Sequence, residues 1–253
     1  TYGLKTSVFV SDRCQPYKSL GYLHDWLREK LYPRAKGVIA QTSQAKAFYN
    51  ASIPKQENVI VIGNPINKQE LISNPREKII LTVGRLIESK HHNELIKLFV
   101  KINNKRWKLI IVGGDALKQN NREKLDSLIT SLNAKDSVIM AGNQKDVASY
   151  YKRSSIFAFT SSSEGFPNVI GEALSFGLPV VSFDCVAGPA DMIEEGKNGN
   201  LITLFDYEDF AVKLKRLMDD HDLRGKMSAY APTSVEKFDK NVIGEEYYKF
   251  ITA

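Results

Sequence analysis

Two carboxylates eight positions apart, Glu164 and Glu172, stand in the run SSSEGFPNVIGEALSFGLPVVSFD, residues 161–184. The run reads as a polar loop, a helix and a strand. The helix is expected to start near Pro167 and Asn168, since proline's missing N–H goes unpaired in a first turn anyway. Gly177 and Pro179 end it, and Val180, Val181 and Phe183 continue as a strand. Gly165 lets the backbone come close to whatever lies above the loop. The free N–H groups of a first turn attract an anion. Glu172 falls about one turn in, among Val169, Ile170, Ala173 and Leu174, where an unpaired carboxylate is costly to bury. A carboxylate there accepts hydrogen bonds from a hydroxylated ligand. On the two acids alone, a pair facing water is the plainer reading.

Two cations supply a second constellation. Gly84 and Arg85 follow the expected strand 79–83, and Lys90 comes just before the next helix. Arg85 offers a fork of donors and Lys90 a point charge, the two kinds of cation suited to a diphosphate. The alternative is a surface pair in ordinary contact with Glu88.

The pattern E-G-F-P-N-V-I-G-E-A-L-x-x-G-x-P-V-V resembles the E-x7-E signature of retaining glycosyltransferases with the GT-B fold, in particular glycosyltransferase family 4 (group 1). GRLIESK, residues 84–90, is an independent second match, and the resemblance covers roughly residues 58–252. It implies that Arg85 and Lys90 hold the diphosphate of a sugar nucleotide. They would offset the charge growing on the leaving group without a metal. It further implies that Glu172 accepts from the ribose hydroxyls and that Glu164 faces the donor sugar. The backbone of Gly165, Phe166, Pro167 and Asn168 would close over sugar and phosphate. Residues 141–143, ending in Asn143, would lie against the base. Gly113 and Gly114, which otherwise simply form a turn, would make room for the donor near the lobe interface, Gly84 would lead into the diphosphate site, and residues 184–189 would border the donor.

The expected activity is retaining transfer of a sugar from a UDP- or GDP-linked donor to an acceptor hydroxyl, by front-face attack with the leaving phosphate as base. The setting is assembly of bacterial cell-surface polysaccharide or lipopolysaccharide. The acceptor is a saccharide or a lipid-linked one, and neither cofactor nor metal is expected. Adjacent His91 and His92 point in different directions on a helix, a poor geometry for a shared metal. The alternative is a donor-binding fragment that binds nucleotide without turnover. A dinucleotide oxidoreductase is disfavoured, because no G-x-G-x-x-G follows a strand. GKNGN, residues 196–200, lacks phosphate-loop spacing and reads as a turn.

Net charge is +6, from 35 Lys and Arg against 29 Asp and Glu. The cations are scattered and no nucleic-acid motif appears, so nucleic acid is not an expected partner. A phosphorylated ligand and a peripheral contact with an anionic membrane suit the charge better. No apolar run approaches the length of a membrane span. Two cysteines, Cys14 and Cys185, do not make a disulfide framework. Both read as small apolar residues, and the expected location is cytoplasmic, peripheral at the inner membrane face.

The elements that must position these groups alternate from residue 78 onward. Strands over 79–83, 107–112, 138–141, 156–160 and 179–183 take turns with helices over 93–102, 121–132 and 146–153 and with the motif helix. This implies a doubly wound parallel sheet, an α/β fold, with ligands outside the carboxyl ends of its strands. A short helix over 191–195, a strand over 201–203 and helices over 207–219, 222–230 and 240–251 follow. Before residue 65 only three strands are visible, over 6–11, 37–41 and 58–62, with helices over 19–31 and 44–49. The helix over 19–31 has Leu20, Leu23, Trp26, Leu27 and Leu31 on one apolar face, which leaves His24 at the surface.

Residues 1–65 therefore read as the remnant of an N-terminal, acceptor lobe truncated by about a hundred residues. Residues 66–239 read as the nucleotide-sugar lobe, and 240–253 as a helix crossing back to the first lobe. The expected linker over 64–76 holds a turn around Glu70 and Leu71. A catalytic histidine of the family's first lobe has no counterpart to assign here, and the fragment alone is expected to be inactive.

Overall fold

The structure, a computed structural model, describes residues 6–19, 21–69, 75–103 and 106–253. The turn expected around Glu70 and Leu71 lies outside the described residues.

Short apolar runs build a first parallel sheet. Strands β1 (Phe9–Asp12), β2 (Gly37–Ala40) and β3 (Val59–Val61) lie in that order, joined by helices α1 (Tyr22–Leu31) and α2 (Ser43–Ser52). Thr42 caps α2, its hydroxyl accepting from the Ala45 N–H at 3.1 Å. Ala45 and Tyr49 bury the helix against Val38, Ala40 and Val59.

Helix α1 departs from its expected face. It starts at Tyr22, Leu20 lies outside the described residues, and Leu23 and Trp26 are 68% and 44% exposed. The side chain turned inward is Arg28, whose Nε stands 3.8 Å from the buried carboxylate of Asp12. That carboxylate also accepts from the Tyr32 hydroxyl and the Cys14 N–H. A buried charge requires partners, and the helix is rotated to supply one. His24 is exposed.

The second sheet has six parallel strands. Along the chain, β4 (Ile79–Val83), α3 (His92–Ile102), β5 (Lys108–Val112), α4 (Asn121–Ser131), β6 (Val138–Gly142), α5 (Ala148–Arg153), β7 (Ile156–Phe159), α6 (Asn168–Ser175), β8 (Val180–Phe183), α7 (Pro189–Met192) and β9 (Gly199–Ile202) follow one another. In space the order is β6-β5-β4-β7-β8-β9. Both faces are covered, which explains the continuous apolar runs IILTV and IFAF. Ile80, Leu109, Ile111 and Ile156 share a core with Leu95, Phe99 and Leu125 of α3 and α4. Leu81, Ile110 and Phe157 face Ile170 and Leu174 of α6. Helices α8 (Tyr207–Asp219), α9 (His221–Ser234) and α10 (Lys240–Thr252) complete the chain, capped by Asp206, Asp220 and Asp239.

Three smaller expectations are corrected. Helix α7 spans Pro189–Met192 rather than 191–195, because Pro189 opens its first turn. Strand β9 begins inside GKNGN, at Gly199, whose missing side chain admits the Val180 carbonyl of β8; a Cβ there would lie 2.3 Å from that oxygen. Cys185 is buried, but Cys14 is exposed and not the apolar filler expected of it.

The two sheets share one core. Ile39, Ile62 and Ile66 pack in the same cluster as Phe166, Ile170, Val235, Phe238 and Ile243. The Ile66 N–H donates to the Phe238 carbonyl at 2.7 Å. Gly171 of α6 has no side chain because Ile66 fills that place; a Cβ would stand 2.7 Å from its Cδ1. Helix α10 lays Phe250 edge-on to Phe9 at 5.3 Å between centroids.

Candidate functional site

Strands β4 and β7 are neighbours and parallel, so the loops leaving their carboxyl ends meet. The loop after β4 carries Gly84, Arg85 and Lys90, and the loop after β7 carries Glu164. Lys90 Nζ donates to Glu164 Oε1, and each side chain is only 14% exposed. The ammonium also stands 5.1 Å from the centre of the Phe159 ring. The loops are stitched further by the Ser162 N–H to the Ser89 carbonyl at 2.8 Å and the Thr160 hydroxyl to the Lys90 carbonyl at 2.7 Å. A cation and an acid are thus held at one place, partly shielded from water, where charge interactions are stronger than at an open surface. Beside them, burial pushes the Cys185 thiol up to about 12, with the charge of Glu164 adding to the effect. That thiol is inert.

Gly84 lies along the Lys90 stem; a Cβ on it would be 3.5 Å from Lys90 Cε. Behind it the chain crosses Gly113 and Gly114, where the Leu86 N–H donates to the Gly114 carbonyl at 2.9 Å. Asn143 closes on Gly114, so that a Cβ there would meet its amide at 2.6 Å. Asp115 is occupied in capping α4, accepting from the Asn121 and Arg122 N–H groups. Arg85 is exposed, and its guanidinium forms no ion pair among the described residues.

The motif loop and α6 form the other half. Pro167 is the residue before the helix, packed on Gly188, where a Cβ would come within 2.2 Å of its Cδ. Gly165 passes over the first sheet's loop, with room for no Cβ above the Arg13 carbonyl at 2.5 Å. The Phe166 ring turns inward onto Phe238, 5.5 Å away and edge-on, so this loop presents its backbone rather than that ring. Asn168 accepts from the Asn64 amide at 2.9 Å. Glu172 is half-buried, and its Oε2 accepts from the Tyr151 hydroxyl at 3.0 Å. Glu172 and Asn168 border a cleft of about 540 Å³ between the sheets, shared with Arg13, Asn64, Lys145 and Tyr151. Lys90 and Glu164 are not part of that lining. The loop 165–167 runs between the two places.

The structure therefore brings Gly84, Lys90 and Glu164 together, sets Gly114 against Asn143 behind them, and puts Asn168 and Glu172 in the cleft. Arg13, Asn64, Lys145 and Tyr151 were not singled out from sequence. They come from three separate stretches of chain, Lys145 and Tyr151 from the same one, and join the cleft only through folding. Tyr151 reads in sequence as an ordinary helix aromatic. His91 has φ +50°, and its Nε2 lies 2.9 Å from the Ser162 hydroxyl, whereas His92 is buried, so the two rings do not share a site.

The fold and the two convergent loops define a two-sheet α/β protein of the GT-B class. The family of glycosyl transferases group 1 matches residues 63–234, and the chain belongs to that family. An uncharacterized glycosyltransferase of Haemophilus influenzae is 31% identical over 83% of this chain and 59% of its own length. An N-acetylgalactosaminyltransferase of Campylobacter jejuni acting on a diphospho-undecaprenol-linked sugar is 31% identical over 99% of this chain and 71% of its own. Among solved structures, Anabaena HepE in complex with UDP superposes with a TM-score of 0.89 at 20% identity, over 97% of this chain and 72% of that one. The chain spans about half the length of several curated relatives it matches.

Proposed function

We propose that this chain contributes the donor half of a retaining glycosyltransferase, one that takes a sugar from a UDP- or GDP-linked donor. The observation that carries the reading is the Lys90–Glu164 pair, which joins two separate sequence motifs at adjacent strand ends. The nucleoside lies in the cleft beside Glu172 and Asn168. The diphosphate follows the backbone of Gly165–Asn168 toward Lys90 and Arg85, past Gly84. Arg85 is free to reach it, and Lys90 exchanges part of its contact with Glu164 for phosphate oxygens. These cations stabilise the charge that develops on the leaving diphosphate. Glu164, released in part, accepts from sugar hydroxyls. Gly114 and Asn143 bound the base.

The C. jejuni relative acts on a lipid-linked acceptor, and other relatives include a lipopolysaccharide galactosyltransferase. We extend the reading to assembly of bacterial surface polysaccharide, with family 4 membership and a saccharide or lipid-linked acceptor. No helix among the described residues is long and apolar enough to cross a membrane. The net charge of +6 fits a peripheral, cytoplasmic-side contact with an anionic bilayer.

The test is thermal. UDP or GDP is expected to raise the melting temperature of the chain, and Arg85→Ala or Glu172→Ala to abolish the shift. Unchanged melting of the wild type at millimolar concentrations of both nucleotides overturns the reading.

A further inference from the structure

We propose that Tyr151 is a positioning residue that sets the preference of this site for ribonucleotides over deoxyribonucleotides. It acts by fixing Glu172. The proposal rests on the donor-site reading above and adds to it a residue that neither sequence motif contains.

Glu172 projects from α6 toward the cleft, and a free carboxylate on a helix can turn about its side-chain torsions. The Tyr151 hydroxyl donates to one oxygen, Oε2, at 3.0 Å. The other oxygen, Oε1, has no hydrogen-bond partner among the described residues. One oxygen is thus tied down, and the other is aimed and available to a hydroxylated ligand.

The phenol is itself held rigidly. Tyr151 sits on α5 and is 2% exposed. Its ring stacks on Phe176, with centroids 5.2 Å apart and planes 9° apart. On its other side it leans on Phe157 at 5.9 Å. The backbone is fixed as well, since the Arg76 guanidinium donates to the Tyr151 carbonyl at 3.2 Å. Burial, reinforced by the charge of Glu172, holds the phenol well above its ordinary range. The hydroxyl therefore keeps its proton, and stays a donor, at neutral pH.

A protonated donor on a ring held by Phe176 and Phe157 is more than packing requires, because phenylalanine would fill the same volume. The hydroxyl's near and charged partner is the carboxylate bordering the cleft, at 3.0 Å, with the Val169 carbonyl farther off at 3.5 Å. A pre-set acceptor discriminates between ligands with and without the matching hydroxyl, because it meets that hydroxyl without first having to be ordered. A nucleoside's 2′-hydroxyl is the group that ribo- and deoxyribonucleotides do not share.

The experiment measures binding of UDP, dUDP, GDP and dGDP to the full chain by calorimetry, for wild type, Tyr151→Phe, Glu172→Gln and the double variant. Wild type is expected to bind the ribonucleotide of at least one base more tightly than its deoxy form. Tyr151→Phe should weaken that ribonucleotide about five- to tenfold while changing the deoxyribonucleotide less than about twofold. In the Glu172→Gln background the same substitution should leave the ribo-to-deoxy ratio unmoved. Equal weakening of both forms by Tyr151→Phe, or no weakening of either, overturns the proposal and leaves the donor-site reading standing. A Tyr151→Phe chain that does not fold, shown by its melting curve without nucleotide, assigns the hydroxyl to stability and also overturns it. A wild type that binds none of the four overturns the donor-site reading and this proposal with it.

Discussion

A β-carbon on Gly113 would stand 1.9 Å from the carbonyl oxygen of Gly84. No side chain fits there, and the Gly113 φ of +144° lies where L-residues are strained. The two glycines come from the ends of β5 and β4, so their contact sets how closely the loop carrying Arg85 and Lys90 follows the sheet edge. Gly113→Ala must move that loop or break the strand end. It is expected to cost about 3 kcal/mol or more, by strain and overpacking together. Urea unfolding of wild type and variant measures the cost, and a change below 1 kcal/mol contradicts it.

The Lys90–Glu164 pair makes a different prediction. Both side chains are 14% exposed, so removing one partner leaves a poorly solvated charge. Lys90→Met is expected to destabilise by about 3 kcal/mol, and Lys90→Met with Glu164→Gln by clearly less, because the double variant leaves no orphan charge. Denaturant midpoints for the two singles and the double give the coupling. A double variant no more stable than the worse single one refutes it.

Much of this was legible before the fold was seen. The runs IILTV and IFAF read as buried strands because helices cover both sheet faces, and E-G-F-P-N and G-R-L lie at the strand ends expected of them. Helix α1 misled because its periodicity was real but its orientation follows a buried charge: Arg28 meets Asp12, and Leu23 and Trp26 remain outside. Phe166 is expected to offer its backbone only, and its ring packs into the seam with Phe238, a contact the sequence does not show. Of the cleft, only Asn168 and Glu172 stood out in the sequence. Arg13, Asn64, Lys145 and Tyr151 meet Glu172 across separations that no local pattern encodes.

Arg85 separates binding from stability. Its side chain is exposed and forms no ion pair among the described residues, so Arg85→Ala is expected to shift the melting temperature by less than about 1 °C. The same variant should weaken UDP or GDP at least about tenfold, as loss of a charge-assisted contact to phosphate does. Nucleotide affinity should also fall less steeply with added salt than in wild type. Melting curves and calorimetry at two ionic strengths check all three outcomes. Full affinity in Arg85→Ala removes this residue from the proposed diphosphate site.

The buried ring of His92 predicts an acid-sensitive stability. The residue is 4% exposed, and burial pushes its imidazole down to about 4, from an ordinary 6.5. The folded state therefore resists a proton that the unfolded chain takes up readily. Above about pH 6.5 neither state is protonated and there is no penalty. As the pH falls from 6.5 toward 4, only the unfolded chain gains the proton, and stability drops by up to about 1.4 kcal/mol per pH unit. Below about 4 both states are protonated and the loss levels off. Asp12 is also depressed: burial raises it, but hydrogen bonds from Tyr49, Cys14 and Tyr32 and the charge of Arg28 outweigh that, so its contribution begins to fade as the pH approaches its ordinary 3.8 and is lost further below it, equally in wild type and in a His92 variant. Urea midpoints measured at half-unit steps from pH 7 to pH 4 should show the decline in wild type. In His92→Leu the slope through that window should flatten by the contribution of one proton, and an equal slope in both proteins rules His92 out as its source.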